Sequence, residues 1–267
     1  LAAQGYHARS DVGRTREHNE DTFLCDRALG LYLVADGMGG HAAGEVAAAL
    51  AAQTVAESVQ RGASVVQAFA EGVAGVRAED VKRLLAEAVR AANTAGFDAS
   101  RADAQRRGMG TTLTALLLAG DRAFVAHVGD SRAYLLRGGE VRQLTEDHSV
   151  LNELRRRGRL RDDALAQVRR KNAITRAVGV FETVEVDASM SLAAPGDRYL
   201  LCSDGLHRYV EAEAELVGLL SDWSEEAVTQ RLVDPAGDGE WRLGGNHHLR
   251  PPAGRGPAPL ARPAARA

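Results

Sequence analysis

The chain has 267 residues, 45% of them hydrophobic and 26% charged, and carries a formal net charge of -3. That composition describes an ordinary folded domain with enough chain for a sizeable core, and the small net charge gives no reason to expect a nucleic-acid or membrane partner. Aromatics make up only 4% of the residues, which argues against a platform for stacking bases.

Residues 1–21 are polar and end in Arg16-Glu17-His18-Asn19-Glu20-Asp21. Thr22–Asp26 and Leu31–Ala35 read as paired strands around the Arg27–Gly30 turn. Gly44–Arg61 is Ala-rich and predicts a helix. From Glu79, the spacing Val81, Leu84, Leu85, Ala88, Val89, Ala92 predicts a second, amphipathic helix. Thr111–Ala119 and Arg122–Val128 predict two strands, the first buried. A hairpin follows at Tyr134–Arg137 and Glu140–Leu144 across Gly138-Gly139. Asp147–Arg157 reads as a helix with Asp147 as its N-cap. Arg155–Lys171 carries eight basic side chains, a pattern that suits a solvated face. Thr183–Leu192 and Gly196–Ser203 predict two more strands, and Ala212–Leu220 and Ser224–Val233 two short helices. Residues 250–267 hold five of the seven prolines and no acid, so a disordered tail is expected there. Cys25 and Cys202 lie in apolar runs and read as reduced thiols. With no stretch long enough to span a bilayer, a cytoplasmic location is the expectation.

Four aspartates, Asp21, Asp36, Asp130 and Asp204, each end or open an apolar or β-rich segment beside small residues. Hard divalent cations take oxygen ligands, and Mg²⁺ or Mn²⁺ needs only a few carboxylates plus water. No His/Cys spacing suggests zinc, and no nucleophile-elbow, Walker or dinucleotide fingerprint is present. The residue types alone point to metal-assisted hydrolysis.

Six segments occur in a fixed order: Arg16-x-x-Asn19-Glu20-Asp21, Val34-Ala35-Asp36-Gly37-Met38-Gly39-Gly40-His41, Gly108-Met109-Gly110-Thr111-Thr112, Val128-Gly129-Asp130-Ser131-Arg132, Ile174-Thr175-Arg176-Ala177-Val178-Gly179 and Cys202-Ser203-Asp204-Gly205. Together they resemble the PP2C (PPM) family of metal-dependent serine/threonine phosphatases in its bacterial form, over roughly residues 5–234. The resemblance implies an α+β fold, a four-layer α-β-β-α sandwich of two mainly antiparallel sheets. It implies a binuclear Mn²⁺ or Mg²⁺ centre, with a weaker third metal. Asp36 matches the bridging carboxylate, Gly37 the carbonyl donor, Asp204 a ligand of the first metal and Asp130 the acid of the third. Glu20 and Asp21 both match the acidic pair of the first motif, and which one ligates stays open. Arg16 matches the phosphate-binding arginine. Some members carry a histidine where Met38 stands; His41 is the nearest substitute as proton donor, or else orders the turn. His127 reads as a satisfied structural histidine, and Thr111 and Thr112 as strand packing. The implied partners are phosphorylated proteins, among them serine/threonine kinases and their substrates, acted on by a monomer with neither nucleic acid nor membrane.

The chain departs from the family at its end. The pattern Gly-Gly-x-Asp-Asn with a β-branched strand is replaced by Gly244-Gly245-Asn246-His247-His248 and the Pro/Arg/Ala tail. The expectation is therefore a phosphatase domain over 1–245, a tail over 246–267, no terminal ligand and no closing strand. Out-of-frame reading of GC-rich coding sequence would produce such a tail. His247 could take Mn²⁺ but is a poor Mg²⁺ ligand. The competing readings are a pseudophosphatase that binds or senses, and a phosphohydrolase of small molecules.

Overall fold

The computed structural model describes residues 6–12, 18–39, 43–158, 173–207, 216–218 and 246–249. The strands are β1 (Tyr6–Arg9), β2 (Asp21–Asp26), β3 (Leu31–Met38), β4 (Gly110–Thr111), β5 (Leu113–Ala119), β6 (Arg122–Val128), β7 (Arg132–Arg137), β8 (Glu140–Gln143), β9 (Asp187–Leu192), β10 (Arg198–Cys202) and β11 (Asn246–Leu249). The helices are α1 (Ala43–Arg61), α2 (Ala63–Ala70), α3 (Ala78–Ala102), α4 (Val150–Arg156) and α5 (Asp204–His207), with one 3₁₀ turn at Ala104–Arg106.

The strands form two sheets, in the orders β1-β11-β10-β7-β8 and β2-β3-β5-β6-β9, with β4 paired to β3. Every pairing is antiparallel. Alternate residues of each central strand serve two cores, as the two-residue repeat of a strand requires. Leu31 and Leu33 of β3, Leu113, Ala115 and Leu117 of β5, and Phe124, Ala126 and Val128 of β6 face α1 and α3. Tyr32, Val34, Leu116, Val125, Leu135, Tyr199 and Leu201 fill the space between the sheets. On the outer face of the first sheet, Tyr134, Leu136, Leu200 and Cys202 meet Leu216 and Val217, in a helical stretch over residues 216–218. Strands buried on both faces cannot alternate apolar with polar, which is why β3, β5 and β6 read as continuous apolar runs. These layers give the expected α-β-β-α sandwich.

Some details differ from the sequence reading. The closing strand is present: β11 lies between β1 and β10, with Asn246 opposite Arg9 and Cys202, and His247 opposite Ala8 and Leu201. Its ladder is made by backbone groups, which pair whatever side chains they carry. The tail boundary at 246 therefore moves: residues 246–249 belong to the first sheet, and residues 250–267 lie outside the described residues. The predicted strand from Thr111 breaks at Thr112 into β4 and β5. Asp147 does not cap α4; Ser149 does, accepting the Asn152 N–H at 3.3 Å. Asp147 instead takes a two-pronged bond from Arg132, at 2.8 and 2.7 Å. The helix predicted over Ser224–Val233 lies outside the described residues.

Candidate metal centre

The singled-out acids stand at strand ends or in the segments that follow them. β2 starts where β3 ends, so Asp21 stands directly opposite Asp36. Directly opposed residues on one face of an antiparallel pair have neighbouring side chains, and like charges there repel. Asp204 opens α5, just after β10. Asp130 lies in the Gly129–Ser131 turn that carries the chain from β6 in one sheet to β7 in the other.

Glycine makes the approach of these segments possible. The Gly37 N–H donates to the Glu20 carbonyl at 3.0 Å. A Cβ on Gly37 would come within 2.1 Å of the Gly44 carbonyl oxygen and 2.6 Å of the Glu20 carbonyl oxygen, both immovable backbone. A Cβ on Gly44 would lie 2.3 Å from Glu20 Oε1. The start of α1 thus leaves a hollow only as large as the Glu20 carboxylate needs.

Hydrogen bonds hold the acids in place. The Ser203 hydroxyl donates to Asp21 Oδ2 at 3.0 Å, joining the two sheets. The Asp21 N–H donates to Asn19 Oδ1 at 3.1 Å. Asp36 is clamped through its main chain: its N–H donates to Thr112 Oγ1 at 2.9 Å. Its carbonyl accepts from the Thr112 N–H and the Thr111 hydroxyl, each at 2.9 Å. Thr111 and Thr112 are therefore not mere strand packing. Asp130 is buried, at 5% exposure, and its carbonyl lies 2.9 Å from His207 Nε2. α5 is consequently fastened at its front through Ser203 and at its back through His207.

The chain also buries a histidine pair. The His127 and His148 rings are 4.8 Å apart. Burial, with His148 close by, pushes His127 down to about 4. His127 Nδ1 lies 2.9 Å from Thr114 Oγ1, whose single proton goes to the Ser131 carbonyl at 3.1 Å. His127 Nε2 lies 3.2 Å from the Glu146 carbonyl, so both ring nitrogens have a partner. His127 is thus the satisfied structural histidine expected from sequence. His148 accepts the Gly129 N–H on Nδ1 at 3.0 Å, and burial lowers its pKa too. Burial pushes the Cys25 and Cys202 thiols up to about 12, so neither is a thiolate nucleophile near neutrality.

The groups that the sequence singled out here, the Asp21, Asp36, Asp204, Asp130 and Glu20 carboxylates and the Gly37 carbonyl, all offer oxygen. Among the described residues no group of three or more His, Cys, Asp or Glu side chains is placed to hold a metal ion by itself. Oxygen donors suit Mg²⁺ or Mn²⁺, which keep several waters and use few carboxylates. With the Glu20 hollow and the opposed aspartates, the residues fit such an ion. Arg16, His41 and residues 159–171 of the basic run lie outside the described residues. Sequence reasoning passed over Ser131, Ser203 and His207; the first two adjoin acids it had chosen, and no pattern marks the third.

The protein-family model described as "Protein phosphatase 2C" matches residues 2–237. The chain is 39% identical over 211 residues to the serine/threonine phosphatase stp of Listeria innocua, covering 78% of this chain and 80% of that one. It superposes on the crystal structure of the Mycobacterium tuberculosis serine/threonine phosphatase PstP/Ppp with a TM-score of 0.79 at 35% identity, covering 95% of this chain and all of that one. The catalytic domain of PstP, solved in complex with two manganese ions, matches with a TM-score of 0.74 at 36% identity, covering 92% and 96%.

Proposed function

Since the chain belongs to the protein phosphatase 2C family of metal-dependent serine/threonine phosphatases, we propose that it removes phosphate from phosphoserine and phosphothreonine in proteins at a binuclear Mn²⁺ or Mg²⁺ site formed by these acids. The observation that carries this reading is the cross-strand pair Asp21–Asp36 beside Gly37. Two carboxylates held opposite one another cost stability in an empty site and become binding energy around a cation.

Asp36, the Gly37 carbonyl and the Glu20/Asp21 pair would hold one ion, with Asp36 shared to a second held by Asp204, and Asp130 serving a weaker third. Bound there, the metal supplies Lewis acidity, acidifying water and drawing charge from the phosphoryl oxygens. The protein residues bind and orient. Arg16 grips two phosphate oxygens with its planar fork, a geometry lysine cannot copy. His41 delivers a proton from its imidazole to the departing serine or threonine oxygen. Ser203 and the Thr111–Thr112 clamp hold Asp21 and Asp36 so that little reorganisation is needed on binding.

A second reading draws on His247, which stands in β11 where the family pattern has an acid: a pseudophosphatase that keeps the fold and senses phosphoproteins. A panel of phosphothreonine peptides and nucleoside monophosphates, assayed with and without Mn²⁺, tests the proposal. Metal-dependent release of phosphate from the peptides supports the protein phosphatase. Release from nucleotides alone moves the substrate to small molecules, and no release by a folded chain favours the pseudophosphatase.

A further inference from the structure

Thr112 and Ser131 form a link that the activity alone does not call for. Both are fully buried, at 0% exposure, and their hydroxyl oxygens lie 2.7 Å apart. Thr112 is the residue at which the β4–β5 strand breaks. Leaving the ladder lets its hydroxyl accept the Asp36 N–H while its own N–H reaches the Asp36 carbonyl. Ser131 immediately follows Asp130, and its carbonyl is held by the Thr114 hydroxyl. Gly129, at φ +113°, closes the turn against Thr112: a Cβ there would lie 2.6 Å from Thr112 Cβ and Cγ2. A turn so shaped is tolerated by glycine and few other residues.

From this geometry we infer that the Thr112–Ser131 hydroxyl pair is a positioning device, fixing the Asp36–Gly37 main chain and the Asp130 turn relative to one another so that the acids of separate strands present one preformed set of metal ligands. The inference rests on the reading of Asp36 and Asp130 as metal ligands. The proton count supports it. Thr112 Oγ1 already accepts from Asp36, so the hydroxyl–hydroxyl bond uses the proton of Thr112 or of Ser131, and either way both side chains are committed. With Asp36 held at N–H and carbonyl by the same residue, a shift of Thr112 is a shift of Asp36 and of the Gly37 carbonyl beside it. Groups that orient metal ligands from behind typically cost about 10–100-fold in metal affinity when removed.

The test is Mn²⁺ binding by calorimetry, with circular dichroism and thermal unfolding on each variant. Thr112→Val keeps the shape and removes the hydroxyl; Thr112→Ser keeps the hydroxyl; Ser131→Ala removes one partner and leaves the Asp36 N–H its acceptor. Thr112→Val is expected to weaken Mn²⁺ binding at least about tenfold, with Thr112→Ser close to wild type. Ser131→Ala should weaken binding less, and the double variant should be no worse than Thr112→Val within about twofold, because both changes remove one shared bond. Additive losses in the double variant, or failure of Thr112→Ser to restore affinity, would overturn the link. Should Thr112→Val fail to fold, Ser131→Ala decides alone, and unchanged affinity there overturns the inference. Asp36→Asn separates the two levels. If it abolishes binding while Thr112→Val does not weaken it, the positioning inference fails and the metal site stands. If Asp36→Asn binds Mn²⁺ as wild type does, the site reading itself fails, and the inference with it.

Discussion

Gly44→Ala probes whether the Glu20 carboxylate matters. The added Cβ would sit 2.3 Å from Glu20 Oε1 and 2.9 Å from both Glu20 Cδ and the Gly37 carbonyl carbon. Gly37 cannot yield, because a neighbouring Cβ-sized space is already closed by the Gly44 and Glu20 carbonyl oxygens. The side chain of Glu20 must therefore retreat by about 1 Å to reach ordinary van der Waals contact, and a misplacement of about 1 Å at a reacting site can cost about 10²-fold. In barrier terms that is about 2.7 kcal/mol. Stability should change far less: alanine gains up to about 1 kcal/mol over glycine in a helix, offsetting part of the clash in the first turn of α1. The expected outcome is Mn²⁺-dependent phosphopeptide hydrolysis reduced about 100-fold, with a melting temperature near wild type. Activity within about threefold of wild type in a folded protein would refute the reasoning, leaving Asp21 as the acid of the first motif that counts.

Three further outcomes are expected. His127 titrates at about 4 in the folded chain against 6.5 when exposed, so between those values the unfolded chain binds a proton that the folded one does not. Stability is then fully present above pH 6.5 and falls as pH drops towards 4, by up to about 3 kcal/mol from this group. Urea unfolding at pH 7 and pH 5 should show a smaller loss in His127→Asn than in wild type; equal losses would contradict the assignment. Asn93 is 1% exposed and holds the Phe181 and Glu182 carbonyls and the Gly179 N–H. Asn93→Leu should cost about 2–4 kcal/mol through these unmade bonds, read by chemical denaturation, and a loss under about 1 kcal/mol would count against it. Arg132→Lys should lower the melting temperature, since a lysine cannot replace both prongs on Asp147; an unchanged transition would show that pair to be energetically idle.

The sandwich was legible where burial is two-sided. The apolar runs of β3, β5 and β6, the 3.6-residue spacing of α3 and the Gly138-Gly139 turn carry their structure locally. β1 was not legible: Tyr6–Arg9 is only four residues long within a polar segment, and it becomes a strand through its pairing with β11 at the far end of the chain. β11 was misread for the same reason, since a pattern of side chains was required of an element that backbone pairing defines. The break at Thr112 and the transfer of Asp147 from cap to ion pair are tertiary choices, made by Asp36 and Arg132. The acids themselves stood out because each interrupts an apolar segment. What orients them did not, because Ser203 and Asp21 are 182 residues apart, and His207 and Asp130 are 77 apart. Two residues given roles from the motifs, Arg16 and His41, lie outside the described residues.

The central claim is that acids from the two sheets hold metal and hydrolyse phosphoprotein even though residues 246–249 contain no acid. Initial rates on a phosphothreonine peptide, titrated with Mn²⁺ for wild type and Asp36→Asn, test it most directly. The account predicts saturable, metal-dependent turnover in wild type, abolished by EDTA and by the substitution. Turnover that persists in Asp36→Asn, or none in a folded wild-type chain at saturating Mn²⁺, would contradict it.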